Sequence, residues 1–170
     1  MYLLKHLLAL ACIILLSTPA QAQDKKKVEV FDLGWLDKNH LEHQVERIDE
    51  IARGNLGSQI RNSTDDLELL QRIINRGLIA KDDRLRLQAM GAVLGNVMAQ
   101  EFGMVWQVYE DNLGRSRALC VEDTQHCLFP ITMLSRRMEV GLLPNVKDIF
   151  DYCHEEIRPY LKRNPYDVTP

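Results

Sequence analysis

The sequence has no excess of either charge. Its 170 residues carry 21 Lys and Arg against 24 Asp and Glu, a formal net charge of −3 at pH 7. With no basic surplus to neutralise phosphates, neither nucleic acid nor an anionic membrane surface is expected as a partner. Cysteine is scarce, four in all, and no CxxC spacing suggests a redox pair or a zinc site. GxSxG, HExxH, SxxK and a glycine-rich phosphate loop are missing. No catalytic, cofactor-binding or metal-binding residue is therefore assigned by motif. There is no internal repeat and no low-complexity stretch. The longest apolar run, Leu7 to Leu16, has about ten residues where a membrane-spanning helix needs about twenty.

That short run has another use. Lys5 and His6 precede it, Ser17-Thr18-Pro19 breaks it, and Ala20-Gln21-Ala22 follows with small-x-small spacing. This order reads as a cleavable export signal over residues 1–22. The expected product starts near Gln23, is periplasmic, and keeps no stable membrane anchor after cleavage. Cys12 leaves with the signal. Residues 23–36 read as a flexible leader, 37–163 as a single α+β domain, and 164–170 as a C-terminal tail.

Periodicity predicts the elements. A first helix is expected from about Asp37, its cap, to Arg53, with Leu41, Val45, Ile48 and Ala52 on one face. A second runs from about Thr64 to Arg76, with Ser63 and Asp66 in a near capping box. The third, Asp83 to Phe102, carries apolar residues round most of its circumference, from Leu85 and Leu87 to Val97 and Met98, and should be central. Gly91, Gly95 and Ala99 form a smooth track on it, for close packing or, alternatively, for a ligand. The pattern then changes to period two over 105–110, 117–122 and 126–129, which predicts a three-stranded antiparallel meander. A helix capped by Thr132 and another from Asn145 to about Arg163, kinked at Pro159, complete about five helices packed against the meander.

Three cysteines remain after residue 22. A hairpin turning at Asp123-Thr124 sets Cys120 opposite Cys127, close enough for a disulfide. Cys153 then lies on the apolar face of the last helix as a core residue. Among alternatives, His40, His43 and Glu46 share one side of a helix and could hold a metal, but that side is solvated. His126 and His154 each adjoin a cysteine, yet sequence neighbours point apart. Arg136 and Arg137 offset the carbonyl end of their helix or recognise an anion. With Trp106 they are the candidate contacts for a ligand or partner.

From Leu87 to Val140 a series of features falls in order: the double-glycine run Leu87 to Gly95, Glu101-Phe102-Gly103 before Trp106, Asp111-Asn112-Leu113-Gly114, Phe129-Pro130 and Arg136-Arg137. This series resembles the bacterial domain-of-unknown-function family 3806. The resemblance implies a fold and carries no activity. The resulting expectation is an exported, non-catalytic binding or protein-interaction domain, inhibitor-like or immunity-like by analogy, whose partner is an envelope protein or a small ligand. The alternative is an enzyme with an unrecognised envelope substrate.

Overall fold

The computed structural model of the chain describes residues 27–161. The expected export signal, Cys12 and the tail 164–170 lie outside them. The elements are β1 (Glu29–Asp32), α1 (Trp35–Leu56), α2 (Asp65–Asn75), α3 (Arg84–Phe102), β2 (Val105–Asp111), β3 (Gly114–Cys120), β4 (Cys127–Leu128), α4 (Pro130–Glu139) and α5 (Val146–Ile157), then a single 3-10 turn (Arg158–Tyr160). The α+β class is as expected, with five α-helices. The sheet is not three-stranded: it has four strands in the order β1-β2-β3-β4, each pair antiparallel.

The added strand comes from the segment read as leader. Val30 faces Tyr109 and Phe31 faces Val108 across the β1–β2 ladder. Its sequence, Glu-Val-Phe-Asp, is mostly exposed, so it carries little burial signal of its own. Its backbone groups are satisfied only by a strand far along the chain. The first helix likewise starts two residues early, after Gly34, whose side lacks any cap; Asp37 falls inside its first turn.

Helix α3 runs through the centre. Leu87, Met90, Val93, Leu94, Val97 and Met98 are all fully buried. Only its first turn departs from expectation, since Leu85 is exposed. The Asp83 carboxylate caps the helix by accepting from Arg86 N–H. The glycine track is filled by protein. A Cβ at Gly91 would lie 2.5 Å from Ile131 Cα and from the Pro130 carbonyl oxygen. At Gly95 it would run into the Trp106 ring. The first turn of α4 and Trp106 therefore sit directly on the α3 backbone and fill that track.

Other expected helix ends differ, and α1 itself runs past Arg53 and through Gly54 to Leu56. Helix α4 begins at Pro130, not at a Thr132 cap. Proline fits a first helical position because the N–H there has no partner to lose. Pro159 does not kink a longer helix: α5 stops at Ile157 and Pro159 sits in the 3-10 turn. Before α2, Ser63 Oγ is buried without a hydrogen bond. Asp66 instead reaches back, both its oxygens 3.1 Å from Arg61 N–H. Burial raises the Asp66 pKa, against the pull of backbone N–H donors from Arg61, Asn62 and Ser63. Asn145 caps α5 as predicted, accepting from Lys147 and Asp148 N–H.

The disulfide is present. Cys120 and Cys127 are paired in the β3–β4 register and bonded, with Cα atoms 4.0 Å apart. Cys153 is a buried free thiol, raised to about 11 mainly by burial.

Candidate functional site

Strand β3 places two arginines on one face of the sheet. Side chains alternate along a strand, so Arg115 and Arg117 project to the same side, with Leu119 beyond them in the core. There they meet Asp37, held in the first turn of α1. Arg115 Nη1 and Nη2 lie 3.1 and 2.6 Å from the two Asp37 oxygens, a bidentate pair. Arg117 Nη1 lies 3.3 Å from Oδ1. Asp37 is 7% exposed. The Arg115 hydrogen bonds hold its carboxyl below the ordinary value of 3.8, outweighing desolvation, with Arg117 adding to the effect.

One carboxylate serves two guanidinium groups here, and Arg117 Nε is left without an acceptor among the described residues. Both arginines line a groove of about 610 Å³, which Asp111 also lines, while Glu110 stands opposite Arg115 across the β2–β3 ladder. Arg115, Arg117 and Ser116 form one wall, Thr132 and Arg136 of α4 the other, and Tyr109 and Phe129 the apolar part. Those two rings pack edge to face, centroids 5.2 Å apart. The Arg136 side chain makes no hydrogen bond or ion pair among the described residues. The groove can bind an anion by charge and forked donors while covering an apolar portion.

The expected contact residues do not converge. Arg136 lines the groove. Arg137 turns back, its Nη1 donating to the Met133 carbonyl of its own helix, the offset of a carbonyl end that its position suggests. Trp106 lies elsewhere: its Nε1 donates to Asn96 Oδ1 at 2.9 Å, and it borders a second groove with Leu33, Lys38 and Asn62.

Asp37, Arg115 and Arg117 were missing from the sequence-derived site. Their signal is weak but present. Two arginines two apart on a strand must share a face, yet Arg115 reads as part of the turn when the strand is started at Arg117.

The remaining candidates are dispersed. His43 Nδ1 lies 2.8 Å from Glu46 Oε2 on exposed helix surface. His40 is lowered in pKa by desolvation first and by the Arg117 charge second, and that positive neighbour opposes a cation. Cys127 is bonded to Cys120 and is no nucleophile. His126 stacks on Tyr160, and His154 packs against Phe102.

The Asp37 cluster makes a pH prediction. Because the folded pKa is depressed, the stability it contributes is complete above the ordinary carboxylate value of 3.8 and is lost as pH falls through the lower folded value. Asp37→Asn should therefore cost a constant amount, about 2 kcal/mol, from pH 7 down to about pH 5. The gap to wild type should then close below that. Urea melts at several pH values test this; a gap that widens on acidification contradicts the assignment.

No curated protein matches the sequence. A crystal structure from Bacteroides thetaiotaomicron VPI-5482 superposes with a TM-score of 0.70 at 16% identity, covering 80% of this chain and 50% of that one. The likeness is one of fold, and this chain spans about half the length of that solved chain. The family model described as Domain of unknown function (DUF3806) matches residues 66–150, from α2 into the first turns of α5, and so takes in the double-glycine helix, the β2–β3 hairpin with both arginines, and Arg136. The chain belongs to that family.

Proposed function

We propose that this protein is an exported, non-catalytic periplasmic binding domain whose partner presents negative charge to the groove between β3 and α4. One observation carries the reading: a chain of net charge −3 gathers Arg115, Arg117 and Arg136, against Asp111, round one groove that Tyr109 and Phe129 also line. The charged groups that dominate it are guanidiniums. These keep their protons across the neutral range and so hold an anion without exchanging protons with it. The thiol at Cys153 is buried and its pKa is raised to about 11, which makes it a poor nucleophile. Export rests on the reading of residues 1–22 as a signal, and a disulfide suits an oxidising compartment.

Two measurements test this. Full-length chain expressed in bacteria should yield a periplasmic product whose N-terminus lies near Gln23; retention of the uncleaved chain in the cytoplasm counts against export. Protein recovered from the periplasm should bind a glutamate-rich peptide in preference to isosteric glutamine-rich or lysine-rich peptides. Arg136→Gln should weaken that binding about tenfold, the scale of one lost charge-assisted contact, without lowering the melting temperature. Equal binding of the three peptides would dismiss the groove as an anion site.

A further inference from the structure

We propose that the occupant of the groove is an extended acidic peptide segment that adds to the sheet as a strand along the open edge of β3. This rests on the reading of the groove as an anion-binding site and specifies what enters it.

The edge is open for a covalent reason. Strand β4 pairs with β3 only at Leu119 and Cys120. Continued by the same register, Pro130 would stand opposite Arg117. Proline has no N–H to donate, and the chain leaves the sheet there to begin α4. The remainder of β3, Gly114 to Ala118, pairs with β2 on one side only.

The direction of the unpaired backbone groups follows from one hydrogen bond. Val121 N–H donates to the His126 carbonyl across the β3–β4 turn, at 3.0 Å. Alternate residues of a strand direct both backbone groups to the same side. Leu119, Arg117 and Arg115 therefore direct theirs towards β4, while Ala118 and Ser116 direct theirs to β2. Beyond Leu119 no β4 residue remains, so the N–H and C=O of Arg117 and Arg115 face the groove. Edge groups of this kind are what an added strand pairs with.

The side chains round the edge set the sequence that fits. Residues of an added strand alternate between the two faces. One set meets the face of Arg115 and Arg117, where Asp37 and Glu110, the cross-strand partner of Arg115, offset part of the charge and the buried Arg117 Nε still has no acceptor among the described residues. The other set meets the face that carries Ser116 and Tyr109, which are cross-strand partners, with Phe129 packed on Tyr109. Alternating acidic and apolar residues match both. Arg136, on the opposite wall, is placed to take a further carboxylate. Backbone pairing would supply affinity, and the two faces would supply specificity.

The probe is a blocked heptapeptide of alternating glutamate and valine, with two modified forms: one N-methylated at every glutamate amide, the other at every valine amide. All three keep the same charge. Strand addition predicts that one methylated form binds at least tenfold more weakly than the parent, while the other binds like it. It also predicts that the parent slows hydrogen exchange at the Arg115 and Arg117 amides. Equal binding of all three forms, or binding with no protection of those two amides, overturns strand addition and leaves the anion-binding groove standing. If neither the parent nor the glutamate-rich peptide binds, the groove itself is refuted, and strand addition with it.

Discussion

Gly91→Ala is expected to destabilise the protein by about 3 kcal/mol, at the upper end of overpacking penalties. A single methyl has this effect because its neighbours are backbone. The added Cβ would lie 2.5 Å from Ile131 Cα and the Pro130 oxygen, and 2.6 Å from the Ile131 oxygen. A side chain could rotate away; the first turn of α4 has to move as a unit. The penalty would exceed the 0.5–1 kcal/mol or so by which alanine favours a helix over glycine. Gly54 provides the control. It too lies within a helix, but a Cβ there would meet nothing within 4 Å. Gly54→Ala should therefore stabilise by about 0.5 kcal/mol. Urea denaturation of both variants decides the matter, and two shifts of the same sign would contradict the packing described. Because α4 carries Thr132 and Arg136, Gly91→Ala should also weaken anion binding, whereas Gly54→Ala should leave it unchanged.

Loss of the disulfide has the second largest expected effect. Replacing Cys120 and Cys127 together by alanine should cost about 2.5 kcal/mol by the chain-entropy estimate for so short a loop. The sequence separation is only 7, so the covalent link and the hairpin reinforce each other locally. The consequence is not only local. Strand β4 has two residues, and the bond holds it to β3 just before Phe129 and Pro130 turn into α4. Releasing it loosens the outer wall of the groove. The double variant, and wild type under reductant, should melt earlier by similar amounts. Oxidised protein that has lost residues 1–22 should resist alkylation, because the free thiol among the described residues, Cys153, is buried and has its pKa raised to about 11. Rapid labelling of Cys120 or Cys127 without reductant would remove the bond from the account.

Much of the fold was legible from local pattern. Helix α3 announced its central place by apolar residues on nearly every side, and its apolar residues from Leu87 to Met98 are buried accordingly. The hairpin at Asp111 to Gly114 follows from turn chemistry: the Asp111 side chain accepts from Leu113 N–H at 2.7 Å, and Gly114 takes φ +126°, which glycine tolerates. Cys120 and Cys127 were legible as a pair because a short turn fixes the register of the strands on either side.

The site was less legible because its parts come from distant segments. Arg115 and Asp37 are separated by 78 residues. Nothing near Asp37 distinguishes a helix cap from an ion-pair partner, since both roles suit an acid at a helix start. Strand β1 was lost for a similar reason. Residues such as Glu29 and Asp32 lie on an exposed edge, and what makes them a strand is the ladder with Gln107 to Glu110.

The sequence by itself determined the elements whose stabilising contacts lie within a few residues: the helical faces, the hairpin turns, the cross-strand cysteine pair. Periodicity and turn geometry act over that range, so the local order of residues specifies them. Only the tertiary structure decided the fourth strand, the sharing of Asp37 between Arg115 and Arg117, the parting of Arg136 from Arg137, and the open edge of β3. Each of these depends on which remote segment supplies a backbone partner or a counter-charge. That choice is made when α4 packs onto the glycines of α3 and β1 closes the sheet.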